Sequence, residues 1–239
     1  MAKSEIYYNA PCELFRGFLL DKKYAQCLQD VIEFTLYAQC EKRWHGKDEC
    51  EVYANEELGV NFSSPKAAYN RGMRLFNELV RGNRENPAYF SISEDMYWYF
   101  HDNETTTEER AVALAYLAIK SMIGKREYIK ANMTLLCSRM DGQTRYRGQQ
   151  ISEEVAMYST RYRAHKLMNA LFERYGVIFY SGNSAHKVRG FYCSIKLSMS
   201  ELIHKVEKAR CEARAKPADP LKEAQRKALA ELGMFPGGG

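Results

Sequence analysis

Several common signatures are missing from this 239-residue chain, and each absence narrows the field. No apolar run approaches the ~20 residues that a membrane-spanning helix needs, so no membrane partner is expected. No GxxxxGK[ST] or GxGxxG segment occurs, which leaves nucleotide hydrolysis unsupported. No CxxC pair is present, and the seven cysteines (12, 27, 40, 50, 137, 193 and 211) are odd in number. That pattern favours reduced thiols and a cytoplasmic location over a disulfide framework. The opening MAKSEIYYNAPCELF has no long apolar core, so no secretory leader is expected there.

What the chain does contain is core-forming material and an uneven charge. Hydrophobic residues make up 46% and aromatic residues 13%, enough to bury a core. Net charge is only +5, so its distribution matters more than its total. Residues 139–196 hold ten basic and four acidic side chains, while the first 138 residues net −3. An acidic front and a basic back suggest different partners.

Periodicity predicts mainly helix with short β-hairpins. An apolar stripe runs from Asp21 to about residue 44, and a short helix follows over Cys50–Leu58. Ser63 or Ser64 can cap a helix over Lys66–Leu79, with Pro65 in its first turn. Helix, turn, helix at this spacing is a possible helix-turn-helix, with Lys66, Asn70, Arg71 and Arg74 as a second set of residues to meet DNA or, alternatively, a protein partner or a second copy of the chain. Met1–Pro11 reads as irregular and Tyr89–Ile92 as a strand, while the aromatic run Met96–Phe100 fits no one state. A polar stretch at 101–107 reads as a linker between a module at 1–100 and a second at 108–200, with a C-terminal helix and flexible tail over 201–239. Thr105-x-x-Glu108 and Thr106-x-x-Glu109 both fit a capping box before AVALAYLAIKSMI, and Tyr128–Met140 reads as helical. A shift of 96 residues pairs Ser63, Ala68, Leu75 and Phe76 with Ser159, Ala164, Leu171 and Phe172, which suggests two similar modules.

The richest stretch is YSTRYRAHKLMNALFERYGVIFYSGNSAHKVRGFYCSIKL, residues 158–197. A basic amphipathic helix from Thr160 to Tyr175 is stopped by Gly176. Strands over Val177–Tyr180 and Phe191–Leu197 then flank a polar turn. That order is the order of a winged-helix unit, whose recognition helix enters the major groove while the wing meets phosphate or minor groove. The helix is expected to bury Tyr162, Leu167, Met168, Leu171 and Tyr175, and to expose Arg161, His165, Lys166 and Asn169, with Arg163 unassigned. Arginine suits guanine and asparagine suits adenine by bidentate geometry. Ser159 and Thr160 sit where phosphate contacts form at a helix start. The wing tip offers Asn183, His186, Lys187 and Arg189, and Arg145 and Arg147 would clamp the backbone from the preceding loop.

Two winged-helix-like modules in this order, carried by TRYRAHKLMNALFERYG…HKVRGFYCSI and the elements over 21–197, resemble plasmid and phage replication initiators. The resemblance implies double-stranded DNA as partner, repeated sites at an origin, one module also used for dimerisation, and no catalytic residue. A transcription regulator of a phage or mobile element fits the same residues, and a non-enzymatic adaptor meeting another macromolecule is the alternative. The helix after Ser198-x-x-Glu201 leaves two uses open, packing on its own module or pairing with a second chain.

Weaker motifs point elsewhere. His186-x-x-Arg189 matches the short HxxR of tyrosine recombinases, but on an expected turn rather than a helix. Cys27, Cys40, His45 and Cys50 match no standard zinc spacing, so neither metal nor cofactor is expected. Glu94, Asp95, Asp102 and Glu104 suggest a metal-dependent nuclease, but carboxylates near a loop more often solubilise the chain or cap helices. Tyr97–Phe100 would stack unpaired bases or fill the space between modules.

Overall fold

The computed structural model describes residues 6–43, 46–82, 86–145, 148–181 and 190–215. It is mainly helical, with antiparallel sheets of two and three strands. The first half opens on a strand where the sequence reads as irregular. β1 (Tyr7–Pro11) pairs with β2 (Tyr89–Ser93), Tyr7 opposite Ser93 and Pro11 opposite Tyr89. Alternation buries Tyr8 and Ala10 on one strand and Phe90 and Ile92 on the other.

Between these strands lie α1 (Asp21–Lys42), α2 (Cys50–Glu57) and α3 (Pro65–Phe76), the last continued by a wider π-type turn over 77–81. The buried stripe of α1 includes Leu28, Val31, Ile32, Phe34 and Leu36. α3 lies hard against it because of Gly72. A Cβ there would overlap the Glu33 carbonyl oxygen and come within 2.9 Å of the Tyr37 Cβ. α4 (Glu94–Asp102) follows β2 at once, and the Ser93 hydroxyl accepts the Met96 N–H at 3.4 Å. The aromatic run is therefore helical, with Tyr97 and Phe100 buried and Tyr99 exposed. The stretch 101–107 falls on the end of α4, a short connection, and the start of the next helix.

That helix, α5 (Thr107–Ile123), uses the second of the two capping boxes. The Glu109 N–H donates to the Thr106 hydroxyl at 3.2 Å, and the Thr106 N–H donates to the Glu109 carboxylate at 3.0 Å. Apolar on most sides, it is buried on most sides, touching β2 in one direction and the second half's helices in the other. The helix expected over 128–140 is instead β3 (Ile129–Ala131) followed by α6 (Met133–Met140). The Asn132 side chain starts α6 by accepting the Leu135 N–H at 2.8 Å. α7 (Glu153–Ala156) and a 3-10 turn over 157–159 lead into α8 (Arg161–Tyr175), which ends at Gly176 with φ 64°. In this left-handed conformation glycine carries no Cβ penalty. β4 (Ile178–Tyr180), β5 (Phe191–Ser194) and α9 (Met199–Ala215) complete the described chain. β5 is the central strand of the order β3-β5-β4, with Cys193 opposite both Ile129 and Phe179.

The two halves differ in their sheets. Among the described residues no hairpin follows α3. The strand after it pairs back with the strand before α1, so the first half lacks the hairpin that a winged-helix-like module requires. The halves also share one hydrophobic cluster, from Tyr8 to Cys193. Polar ties cross it. Buried Arg110 reaches Asp21 and the Thr105 carbonyl, 4.6 Å over the Tyr24 ring, and the Arg16 guanidinium donates to the Asp141 carbonyl at 3.1 Å. α9 packs on its own half: Leu202 and Val206 are buried, and the helix touches β4 and β5.

Candidate nucleic-acid interface

α8 buries one narrow stripe, Ala164, Leu167 and Leu171, and continues it with Tyr175, whose ring stacks on Tyr116 at 4.3 Å. The opposite face is open. Arg161, Arg163, His165, Lys166 and Asn169 are all exposed. Tyr162, expected inside, is 79% exposed, and Phe172 is 56% exposed. Both sit off the buried stripe, whose spacing of three to four residues is visible in the sequence. A stricter reading of that stripe identifies them as surface residues.

The exposed side chains divide into two edges. On one, Lys166 holds Glu108 at 2.8 Å and Arg174 holds Glu109 at 3.4 Å, tying α8 to the start of α5. The hydrogen bond and charge of the lysine lower the Glu108 pKa, and those of the carboxylate raise the Lys166 pKa. Arg163 shares this edge, lining a depression with Glu108, Tyr162 and Lys166. On the other edge, Arg161, His165, Asn169 and Phe172 face β4 and the first residue of α9. Arg161, His165 and Asn169 make no side-chain hydrogen bond or ion pair with another described residue. The predicted site is therefore split, with Lys166 committed to an internal ion pair.

The start of α8 is chemically open. Thr160 provides no side-chain cap, and no acidic residue lies in the first turn. The Ser159 hydroxyl donates to the Ala156 carbonyl at 2.6 Å and the Thr160 hydroxyl to the Met157 carbonyl at 3.1 Å, so both hydroxyl protons are already engaged. The leading backbone N–H groups lack a capping side chain, a favourable place for an anion. Arg145 is exposed and lines a depression with Asn132, Thr134 and Leu135 at the start of α6. Arg147, Asn183, His186, Lys187 and Arg189 lie outside the described residues.

The second candidate set fares differently. Lys66 is paired with Asp48 at 2.6 Å, which lowers the Asp48 pKa. Arg71 donates through Nε to both oxygens of Glu33 at 2.8 Å, and this carboxylate is 1% exposed. That hydrogen bond raises the Arg71 pKa further. Asn70 is half-buried, and only Arg74 of the four is exposed with no described side-chain partner. The sequence does not mark Arg71 as a structural residue, because Glu33 lies on another helix.

Among the described residues, no three His, Cys, Asp or Glu side chains are grouped to hold a metal ion. Cys27, Cys40 and Cys50 are buried, and His45 lies outside the described residues. No described helix is long and apolar enough to cross a membrane. No protein-family model matches this chain, and neither a curated protein nor a solved structure does.

Proposed function

We propose that this chain binds double-stranded DNA through its second half, as a winged-helix unit in which α8 enters the major groove and the β4–β5 hairpin is the wing. The supporting topology is helix, strand, helix, helix, hairpin, with the first strand paired to the last in the order β3-β5-β4. The observation that carries the reading is the outward face of α8. Arg161, His165 and Asn169 are exposed without a described side-chain partner, next to a helix start with no side-chain cap. Arg161 and Asn169 would read guanine and adenine edges, and His165 would add a further polar contact. Phosphate would sit at the α8 start, held by backbone N–H groups, with the Ser159 and Thr160 hydroxyls turning from their carbonyl partners to donate to it. Asn183, His186, Lys187 and Arg189 would meet the DNA backbone from the wing. Lys166 is reserved for long-range attraction unless it leaves Glu108. The role that follows is a replication initiator or transcription regulator of a phage or mobile element.

Selection of bound duplexes from a random pool tests this, followed by affinity at rising salt. An enriched motif, with affinity falling steeply as salt rises, is the expected result. A second reading has its own observation. The apolar exposure of Tyr162, Phe172 and Met199 fits a protein partner for an adaptor. No enrichment together with salt-insensitive binding to another protein would favour that reading.

A further inference from the structure

Beside the reading face lies a cavity of about 360 Å³, walled by α8, β4 and the start of α9. This falls in the range of small-ligand sites, roughly 300–1,000 Å³. Met168, Phe172, Phe179 and Met199 give it apolar walls, and Arg161, His165 and Asn169 stand on it as polar groups. Among the described residues no acidic side chain lines it, whereas the depressions beside Glu108 and beside Asp141 each include several carboxylates. Methionine and phenylalanine walls suit a planar ring, because thioethers adapt in shape and make favourable contacts with aromatic faces. A guanidinium and an imidazole at the mouth suit an anion. The Asn169 carboxamide offers both a donor and an acceptor, as the edge of a base requires.

We propose that this cavity is a site for one nucleotide unit, with its base on the Met168–Phe172–Phe179 wall and its phosphate at Arg161 and His165. The nucleotide has two sources, a free mononucleotide or an unpaired residue of a bound strand. The second source deepens the DNA reading above and rests on it, with Arg161 turned from a base edge to the phosphate of the extruded residue. On that source the chain would bind a duplex with one extruded base more tightly than a fully paired duplex. Base stacking on an aromatic side chain should give a preference of about tenfold.

The experiment compares three probes on the full chain. They are a fully paired duplex, the same duplex with one bulged thymidine, and thymidine 5′-monophosphate in equilibrium dialysis. The first two are read by fluorescence anisotropy. The expected result is a bulged-to-paired preference of about tenfold, reduced to about one in Phe172→Ala. Met199→Trp, which would put a larger side chain on the same lining, should remove the preference as well. Both positions are substantially exposed, so both variants should fold. Mononucleotide binding that is lost in both variants, without a bulge preference, supports the site with the free source. It does so even if no duplex binds, in which case the DNA reading fails alone. Paired-duplex binding with neither a bulge preference nor mononucleotide binding overturns the site and leaves the DNA reading standing. A bulge preference that survives both substitutions also overturns the site.

Discussion

α3 and α8 occupy similar places in the two halves, each the helix before a strand, yet their charges do different work. On α3, Lys66 and Arg71 are committed to Asp48 and Glu33, and Gly72 lets the helix sit against α1. On α8, Arg161, His165 and Asn169 point outward with no described side-chain partner. The aromatic pair related by the 96-residue shift shows the same contrast. Phe76 stacks on Phe34 at 5.7 Å, whereas Phe172 is exposed. A basic amphipathic helix is therefore a weak sign of function until the partner of each cation is known. The same composition can lock a core or present a surface.

The largest test of this contrast is Gly72→Ala. In an open helix the change would stabilise by about 1 kcal/mol. Against the Glu33 carbonyl it should destabilise by about 3 kcal/mol, measured by urea unfolding. A gain in stability would show that α3 is not held against α1. Next comes Arg161→Ala combined with Asn169→Ala. This pair should weaken binding to a selected duplex by about 100-fold and shift stability by less than ~0.5 kcal/mol. A loss of stability with unchanged affinity would make α8 structural, like α3. Arg71→Ala should cost about 2 kcal/mol by calorimetry, below the usual 3–5 kcal/mol for a buried pair because the arginine is partly exposed. Its effect on duplex affinity should be under about twofold, a change too small for a base contact.

A pH test addresses what the halves share. Burial pushes the thiols of Cys12, Cys27 and Cys40 up to about 11 and those of Cys137 and Cys193 to about 12, from an ordinary value of 9.0. The unfolded chain therefore releases these protons first. Their contribution is complete below about pH 9 and declines as pH rises toward the folded values. Because one core crosses both halves, thermal unfolding monitored from pH 8 to pH 11 should remain a single transition moving to lower temperature. Two separating transitions would contradict the shared core. The smallest effect belongs to Lys166→Ala. Its ion pair with Glu108 is exposed, so the unfolding temperature in calorimetry should stay essentially unchanged. Duplex affinity should fall only a few-fold, through the lost long-range attraction.

Much of the helical framework was legible because its signals are local. The Thr106–Glu109 and Ser198–Glu201 boxes, Pro65 at the start of α3 and Gly176 at the end of α8 mark boundaries within a few residues. The strands were less legible because their partners are distant. β1 pairs with residues some 80 positions away, and β3 is three residues long. Asn132 was the available clue to β3, since a cap at that position ends any helix running through from residue 128. Of the candidate site, the exposure of Arg161, His165, Lys166 and Asn169 was readable from the apolar stripe. The pairing of Lys166 with Glu108 was not, because it joins helices 58 positions apart. The cavity was not legible either, since α8, β4 and α9 meet only after folding.

On this proposal α8, and not α3, meets DNA. Hydrogen–deuterium exchange of the full chain, with and without a selected duplex, tests it most directly. Slowed exchange across residues 159–172, with no change across residues 65–76, is the expected result. Slowed exchange at 65–76 with none at 159–172 would contradict it.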